Sequence, residues 1–390
     1  MDTLVAPALG TGEIQRRAWQ IGTDVAAPAA PDVDEQARFP SETVEALREA
    51  RLLAALVPRE LGGLGASVSE VAGAVRALAL HCASSALVLA MHSIEVASLA
   101  RNGTTGPLQD LLAEVGERQL LLANANSEVG LGGDVSRSFC ALVPKDGGYF
   151  LDKQTLAISY GEYADAIIAN CRRSPEAAET DQVLVVCRPP TLLLEPTSTW
   201  DTMGLRGTCS KSFHLTADID PKMIFPVPFS TIANRGAGQL RQLLLSATWV
   251  GLAEAAAAHA HAYVRKAARK ERDKVLPNAI RFSELVLRLQ ESRSLLDSCM
   301  AWYEAVKDDD EAIEDVALAV ALRNLKVGAS RLAVECATSA LTICGIEGFR
   351  RDGIFPLDRV IRDAHGGLVM VSNDRQIQDN AAVLRAWKDI

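Results

Sequence analysis

The sequence is poor in aromatic residues, has no excess of basic residues and contains no long uninterrupted apolar run. Aromatic side chains make up 5% of the 390 residues although 48% are hydrophobic, so the core must consist mainly of Ala, Leu and Val. The formal net charge of -9 argues against nucleic acid as a partner. The most apolar stretch, residues 77–92, contains two His, one Cys and two Ser, which predicts a buried helix rather than a membrane span.

The eight cysteines form no pattern of a metal or redox site. There is no C-x-x-C pair, and no His stands at metal-ligand spacing from a Cys, so we expect reduced thiols, no metal and a cytoplasmic location. His259 and His261 are two residues apart on a predicted helix and therefore lie on different faces. The N-terminal segment MDTLVAPALGTGEIQRRAW has neither an apolar core nor a cleavage pattern, so no signal peptide is predicted.

Three regions of the chain differ in their patterns and predict three domains. Residues 1–115 show helical periodicity with glycine breaks. Residues 116–230 contain short β-branched or alternating stretches between turn signals, which is typical of an antiparallel sandwich or barrel. Residues 231–390 return to long helical patterns, which predict a helical bundle whose length suggests a subunit interface.

Five segments, in this order and spacing, carry a family resemblance. They are residues 86–93 (ALVLAMHS), 126–136 (NSEVGLGGDVS), 149–172 (YFLDKQTLAISYGEYADAIIANCR), 199–210 (TWDTMGLRGTCS) and 343–367 (ICGIEGFRRDGIFPLDRVIRDAHGG). Together they resemble the acyl-CoA dehydrogenase superfamily of flavoproteins. The resemblance implies an N-terminal α-helical domain, a central antiparallel β-barrel and a C-terminal four-helix bundle. It also implies FAD between barrel and bundle, and a homo-oligomer, a tetramer or dimer of dimers.

The resemblance also places a set of residues beside the cofactor. Ser127 and Ser159 stand where the family has Thr and keep a hydroxyl for the flavin, although both could instead bond strand-end backbone groups. Ala157 replaces a Trp that packs on the flavin, which leaves space there. The full set of expected cofactor contacts is Asn126, Ser127, Gly132, Gly133, Ala157, Ser159, Arg269, Gly345, Gly348, Asn373, Asp374 and Gln376.

The family's catalytic carboxylate has no counterpart in the sequence. Its first location, a C-terminal turn, aligns with Val371 or Ser372, and its second, on the first bundle helix, aligns with about Arg241. Asp374, two residues from the first location, is the best displaced base, but it could also contact the flavin or cap the last helix. A positioned base typically contributes about 10²–10⁴-fold to a rate, so ordinary dehydrogenation is disfavoured.

A flavin-dependent monooxygenase branch of this family works without that carboxylate, by a flavin–oxygen adduct. His92 and Ser159 match positions used in that branch, and His365 is a further candidate, although either His could be structural. Arg241 could bind a substrate carboxylate or stabilise an enolate or phenolate, or it could face solvent. The candidate catalytic residues are His92, Ser159, Arg241, His365, Ser372 and Asp374.

The predicted function is therefore an FAD-dependent oxidoreductase, with O₂ favoured as co-substrate and a CoA thioester or related small molecule as substrate. Two alternatives stay open: an acyl-CoA α,β-dehydrogenase that uses Asp374, and a non-catalytic partner subunit of a heteromeric dehydrogenase. No nucleic acid and no membrane are expected as partners.

Overall fold

Helices occupy both ends of the chain, and strands occupy the middle. The structure, a computed structural model, describes residues 12–269 and 277–387; the first eleven residues, which belong to the segment without a predicted signal peptide, lie outside this part. The helices before the strands are α1 (Glu13–Ile21), α2 (Ala27–Glu35), α3 (Ser41–Glu49), α4 (Val68–Ala79), α5 (Ala83–Asn102) and α6 (Gly106–Arg118).

Helix α5 is the central helix of the N-terminal region because it is apolar on almost every face. It and the segment Phe229–Ala268 are long and apolar enough to cross a membrane, but 89% of each apolar window is buried inside the protein. Both are therefore core helices of this fold. Helix α4, which packs against α5, begins with a capping box in which Ser67 and Glu70 bond each other's backbone N–H groups.

The strands form two sheets. The first has the order β1–β4–β5, with β1 parallel to β4 and β4 antiparallel to β5, and the second is antiparallel with the order β2–β3–β7–β6. The strands are β1 (Leu122–Ala125), β2 (Val143–Lys145), β3 (Gly148–Ile158), β4 (Ala166–Arg172), β5 (Gln182–Cys187), β6 (Leu193–Pro196) and β7 (Lys211–Ile219).

This arrangement confirms the predicted order of helices, strands and helices but corrects the predicted β-barrel. The two sheets contact each other through β1 with β3 and β5 with β7, yet no ladder of hydrogen bonds closes them into a barrel within the described residues. Closure requires that every edge strand has a neighbour. Strands β2 and β6 have only three and four residues and remain edges.

The C-terminal bundle consists of three long helices and of a fourth position that two shorter helices share. Helices α8 (Gly238–Ala268), α9 (Pro277–Val306) and α10 (Val316–Cys344) follow the short helix α7 (Phe229–Ile232). After α11 (Ile346–Phe349), the fourth position is shared by α12 (Asp358–Val369) and α13 (Asn373–Leu384), which both pack on α10. The predicted break at Gly345 is confirmed, since α10 ends there with φ of 58°.

A buried ion cluster joins the bundle to the N-terminal helices. The carboxylate of Glu254 on α8 is fully buried and accepts hydrogen bonds from Arg76 on α4 and Arg293 on α9, the latter over 2.6 Å. Three helices thus meet at one carboxylate. Because a buried charge without its partner is costly, this cluster fixes the packing of α4 and α9 against α8.

Replacing Glu254 with Leu should therefore destabilise the protein by about 3–5 kcal/mol, because two largely buried guanidinium groups lose their shared acceptor. Glu114 offers a matched control: it also pairs with two arginines, Arg118 and Arg188, but is one third exposed. Glu114→Leu should cost about 1 kcal/mol or less. Urea unfolding measures both, and equal losses would contradict the account of the cluster.

Candidate functional site

A cavity of about 1500 Å³ lies where the N-terminal helices, the sheets and the bundle meet. Its walls come from α5, β1 and the loop after it, the end of β3, the turn at residues 199–210, the start of α8, and the break between α12 and α13. Ten of the sequence-predicted residues line it: Asn126, Ser127, Gly132, Gly133, Ala157, Ser159, Arg241, His365, Ser372 and Gln376.

The glycine-containing loop on one wall is held by Glu128. Its buried carboxylate accepts hydrogen bonds from the backbone N–H groups of Phe139 and Cys140 at 3.0 and 2.9 Å, and from Ser138 Oγ at 2.8 Å. The fully buried Lys153 ammonium on β3 lies 3.3 Å from the same carboxylate. The hydrogen bonds and the Lys153 charge compensate the buried Glu128 carboxylate, and these contacts hold the loop that carries Asn126, Gly132 and Gly133 in place.

Ser127 joins this loop to the end of β3. Its hydroxyl donates to the carbonyl of Ala157 and accepts from the N–H of Ala157, each over 3.1 Å. The structure thus shows the backbone role that the sequence left as an alternative for Ser127. The preceding residue, Asn126, lines the cavity. Its buried Oδ1 has no hydrogen-bond partner in residues 12–269 or 277–387.

Three hydroxyl groups form a chain along the same wall. Thr208 Oγ1 donates to the carbonyl of Leu205 at 2.9 Å, Ser210 Oγ lies 2.8 Å from Thr208, and Ser159 Oγ lies 2.7 Å from Ser210. Each hydroxyl has one hydrogen, and the first is committed to a carbonyl. The chain is satisfied when Ser210 donates to Thr208 and Ser159 donates to Ser210. Ser159 then presents acceptor lone pairs to a ligand.

The break between α12 and α13 forms the opposite wall and is built around Asn373. The Asn373 amide oxygen accepts from the Lys326 ammonium on α10 at 2.7 Å, and its amide nitrogen donates to Ser330 Oγ at 3.0 Å. Lys326 also donates to the carbonyl of Gly367 on α12 at 3.0 Å. Burial lowers the pKa of Lys326 to about 8. The Asn373 side chain is therefore occupied in holding the turn and does not line the cavity, which disfavours the predicted contact with the cofactor.

The backbone of this turn is strained at the position of the missing base. Val371 has φ of 51°, a left-handed conformation that β-branched residues avoid. Ser372 caps α13 by accepting a hydrogen bond from the N–H of Arg375. Asp374 is exposed in the first turn of α13 and does not line the cavity, which disfavours the alternative in which it serves as a displaced base.

Sequence reasoning missed two basic residues that shape the cavity. Lys326 lies in the middle of a predicted helix and gave no signal, because the Asn that it bonds is 47 residues away. Arg375 crosses from α13 to the glycine loop, where it donates to the carbonyl of Gly132 at 3.1 Å and lies 3.6 Å from Asp134. Arg375 stands three residues after Ser372, the residue that caps α13. This spacing could have indicated from the sequence that Arg375 lies in the first turn of the helix, close to the cavity.

His92 does not reach the cavity, and the prediction that it is catalytic is wrong. Its ring is fully buried; Nδ1 accepts from the N–H of Leu122 at 3.0 Å, and Nε2 donates to the carbonyl of Leu53 at 2.6 Å. Burial lowers its pKa to about 4, so the ring is neutral. His92 joins α5 to β1 and to the turn at residues 52–54.

His365 does line the cavity, in a segment that the family motifs hold in place. Its Nδ1 donates to the carbonyl of Ile361 at 2.8 Å, so Nε2 is the acceptor nitrogen. Two residues earlier, Asp363 accepts from the N–H of Leu205 at 2.6 Å, and burial raises the pKa of Asp363 to about 6. The RDA and MGLRGT segments therefore meet at the edge of the cavity.

Arg241 lines the cavity near a buried carboxyl group, Glu95 on α5. Burial raises the pKa of Glu95 to about 7, although the charge of Arg241 acts to lower it. The Glu95 carboxyl group accepts a hydrogen bond from the Asn124 amide at 3.1 Å. Burial also lowers the pKa of Arg241. The structure places Arg241 in the cavity wall rather than on the outer surface, and its role toward a substrate stays a prediction.

The remaining predicted cofactor residues lie elsewhere. Gly345 and Gly348 form the turn after α10, and Arg269 follows the end of α8; none of the three lines the cavity. Their contact with the diphosphate stays a prediction. Among the described residues, no group of three His, Cys, Asp or Glu side chains has the arrangement of a metal site.

The cavity residues fit a flavin. The ring system needs space beside an apolar wall and hydrogen-bonding groups at its polar edge. Ala157 leaves that space, and Leu156 and Leu205 supply apolar surface. Ser159 offers lone pairs, and the unpartnered Asn126 Oδ1 is a buried acceptor that a ligand N–H would satisfy.

His92 is the residue whose structural role is most directly testable. His92→Gln should cost about 1–3 kcal/mol at pH 8 because two buried backbone groups lose well-placed partners. The ring stays neutral down to pH about 4 in the folded state, whereas unfolded His binds a proton below 6.5. Wild-type stability therefore falls by about 3 kcal/mol as pH drops from 6.5 to 4, and the difference from the variant should shrink.

Thermal unfolding between pH 4 and pH 8 measures this difference. Flavin content and oxygen reactivity of folded His92→Gln should equal those of the wild type. Loss of oxygen reactivity in a variant of unchanged stability would restore His92 as a catalytic residue.

Comparison with known proteins identifies the family. The family models of the acyl-CoA dehydrogenase N-terminal and C-terminal domains match residues 12–119 and 235–369. Cyclohex-1-ene-1-carbonyl-CoA dehydrogenase of Syntrophus aciditrophicus (strain SB) is 24% identical over 350 residues, which cover 87% of this chain and 80% of that protein. Dibenzothiophene monooxygenase of Mycolicibacterium goodii is 25% identical over 329 residues, 79% of each chain.

The fold is similar to that of FMN-bound TdsC from Paenibacillus sp. A11-2, with a TM-score of 0.83 and 19% identity over 95% of this chain and 96% of that one. Relatives thus include dehydrogenases and monooxygenases, and family members bind FAD. The predicted family, fold class and flavin cofactor are confirmed: the chain belongs to the acyl-CoA dehydrogenase superfamily of flavoproteins.

Proposed function

We propose that this flavoprotein is an FAD-dependent oxidoreductase that uses O₂, as a monooxygenase or related oxygenating enzyme. One observation carries the proposal: the positions aligned with the family's two base locations both line the cavity, and they present Arg241 in one place and Val371 and Ser372 in the other. Neither supplies a carboxylate to remove a proton from a thioester.

The carboxylates that do line the cavity are unsuited to that task. Asp134 accepts from Ser136 and lies near Arg375, Glu314 pairs with Arg235, and Asp379 is exposed on α13. Glu95 is buried behind the wall and does not line the cavity. No described carboxylate is therefore both free of a cation and buried against the space where the flavin fits.

The residues of the cavity suit oxygen chemistry by holding ligands and limiting the access of water. FAD, when bound, supplies the redox chemistry. Ser159, at the end of its hydroxyl chain, can accept a hydrogen bond from a ligand, and Nε2 of His365 can accept or relay a proton. Leu87, Met91 and Leu245 add apolar surface beside Arg241, which limits the water around a reactive species.

The proposal extends to substrate, assembly and location. A CoA thioester or related small organic substrate is supported by relatives that act on acyl-CoA compounds. Assembly of several copies is supported by three exposed apolar side chains beside the Gly345 turn, Ile346, Phe349 and Ile354, each at least 64% exposed; light scattering tests it. A cytoplasmic location is supported by eight cysteines that are all free.

Reoxidation of the reduced flavin tests the proposed reaction. The protein is reduced anaerobically with dithionite and mixed with O₂ in a stopped-flow instrument. We expect a transient absorbance distinct from both reduced and oxidised flavin, because the partly apolar cavity without a catalytic carboxylate protects an oxygenated species. Direct, single-phase reoxidation would contradict the proposal, and purification without any flavin would favour the alternative of a non-catalytic subunit.

A further inference from the structure

The inner end of the cavity contains a positive charge without a matching negative one. The guanidinium of Arg241 makes no hydrogen bond or ion pair with any side chain or backbone group in the described ranges, 12–269 and 277–387. It is half-buried in the cavity wall between α5 and α8, which shields it in part from bulk water. A desolvated arginine is costly unless a partner compensates it.

Among the described residues, Glu95 is the acidic group whose charge acts on Arg241, and it does not compensate the guanidinium. Glu95 on α5 is too far from Arg241 for an ion pair and is bonded instead to the Asn124 amide. Its pKa of about 7 means that near neutral pH much of the group carries no charge. The part of the cavity at Arg241 therefore keeps an unpaired positive charge.

The wall around Arg241 is apolar. Met91 and Ile94 on α5 and Leu245, one turn further along α8, line the cavity at this level. A ligand that fits here carries an anionic group for the guanidinium and an apolar body for these side chains. The planar, two-pronged guanidinium matches a carboxylate best, through two parallel N–H···O bonds.

We infer that Arg241 is the binding residue for a carboxylate on the substrate, so that the enzyme acts on organic acids, free or as an acyl group that ends in a second carboxylate. This inference rests on the proposed function for the reaction itself. The contact is independent of O₂, because it fixes the far end of the substrate. Arg241 occupies one of the two base positions and replaces proton removal there with anion binding.

Binding of benzoate tests the inference, with benzamide as its neutral counterpart. The flavin-loaded protein is titrated at pH 8 and constant ionic strength, and the flavin spectrum or isothermal calorimetry reports the dissociation constant. We expect benzoate to bind more tightly than benzamide. Arg241→Gln should weaken benzoate binding about 10- to 100-fold and leave benzamide unchanged, while Arg241→Lys should retain part of the affinity.

Two further variants guard against a structural explanation. Arg323→Gln removes another cavity-lining arginine, which bonds Asn380, and should leave the benzoate affinity unchanged. Glu95→Gln removes the competing negative charge at pH 8 and should tighten benzoate binding about 3- to 10-fold. Opposite effects of Arg241→Gln and Glu95→Gln cannot arise from general loosening of the fold.

Several outcomes would overturn the inference. Equal benzoate affinity in the wild type and in Arg241→Gln would do so, as would dependence on Arg323 alone. Loss of flavin from Arg241→Gln with unchanged benzoate binding would assign the cation to a cofactor phosphate. Failure of the oxygen reaction would sink the proposed function but not this contact, because the titration needs no turnover.

Discussion

The hydrogen bonds of the Lys326 ammonium are the contacts on which the shape of the cavity depends. Lys326 reaches from α10 to the carbonyl of Gly367 at the end of α12 and to Asn373 at the start of α13. The fourth helix of the bundle can therefore be interrupted without losing its place on α10. The interruption brings Val371 and Ser372 to the cavity wall, with Val371 held in a strained conformation that the buried bonds on either side enforce.

The cavity combines a rigid rim with an unusual distribution of charge. Glu128 and Lys153 fix the glycine loop on one side, and Asp363 fixes the turn at Leu205 on the other. Within that rim, the positions at which the family places a carboxylate carry a cation and a polar turn. The relatives of this chain include both dehydrogenases and monooxygenases, so the fold alone does not fix the reaction, and the residues at these positions carry the argument for it.

Sequence reasoning recovered the parts of this protein that depend on local pattern. Periodicity predicted the helices, glycine at 345 predicted the end of α10, and aligned motifs placed Ser159, Arg241 and Ser372 at the cavity. It failed where a role depends on distant partners. His92 is neutral and buried because Leu53 and Leu122 bond it, and Asn373 is occupied because Lys326 reaches it from 47 residues away. The prediction of a closed β-barrel was wrong because the short edge strands β2 and β6 do not pair with the other sheet.

The central claim is that the cavity has no base for removing a proton from an acyl thioester. Anaerobic mixing of the flavin-loaded protein with a panel of saturated acyl-CoA thioesters, including acyl groups that end in a carboxylate, tests it most directly through the visible absorbance of the flavin. The account predicts that the flavin stays oxidised with every member of the panel, because Arg241, Val371 and Ser372 cannot accept that proton. Rapid bleaching by any of these thioesters would contradict it.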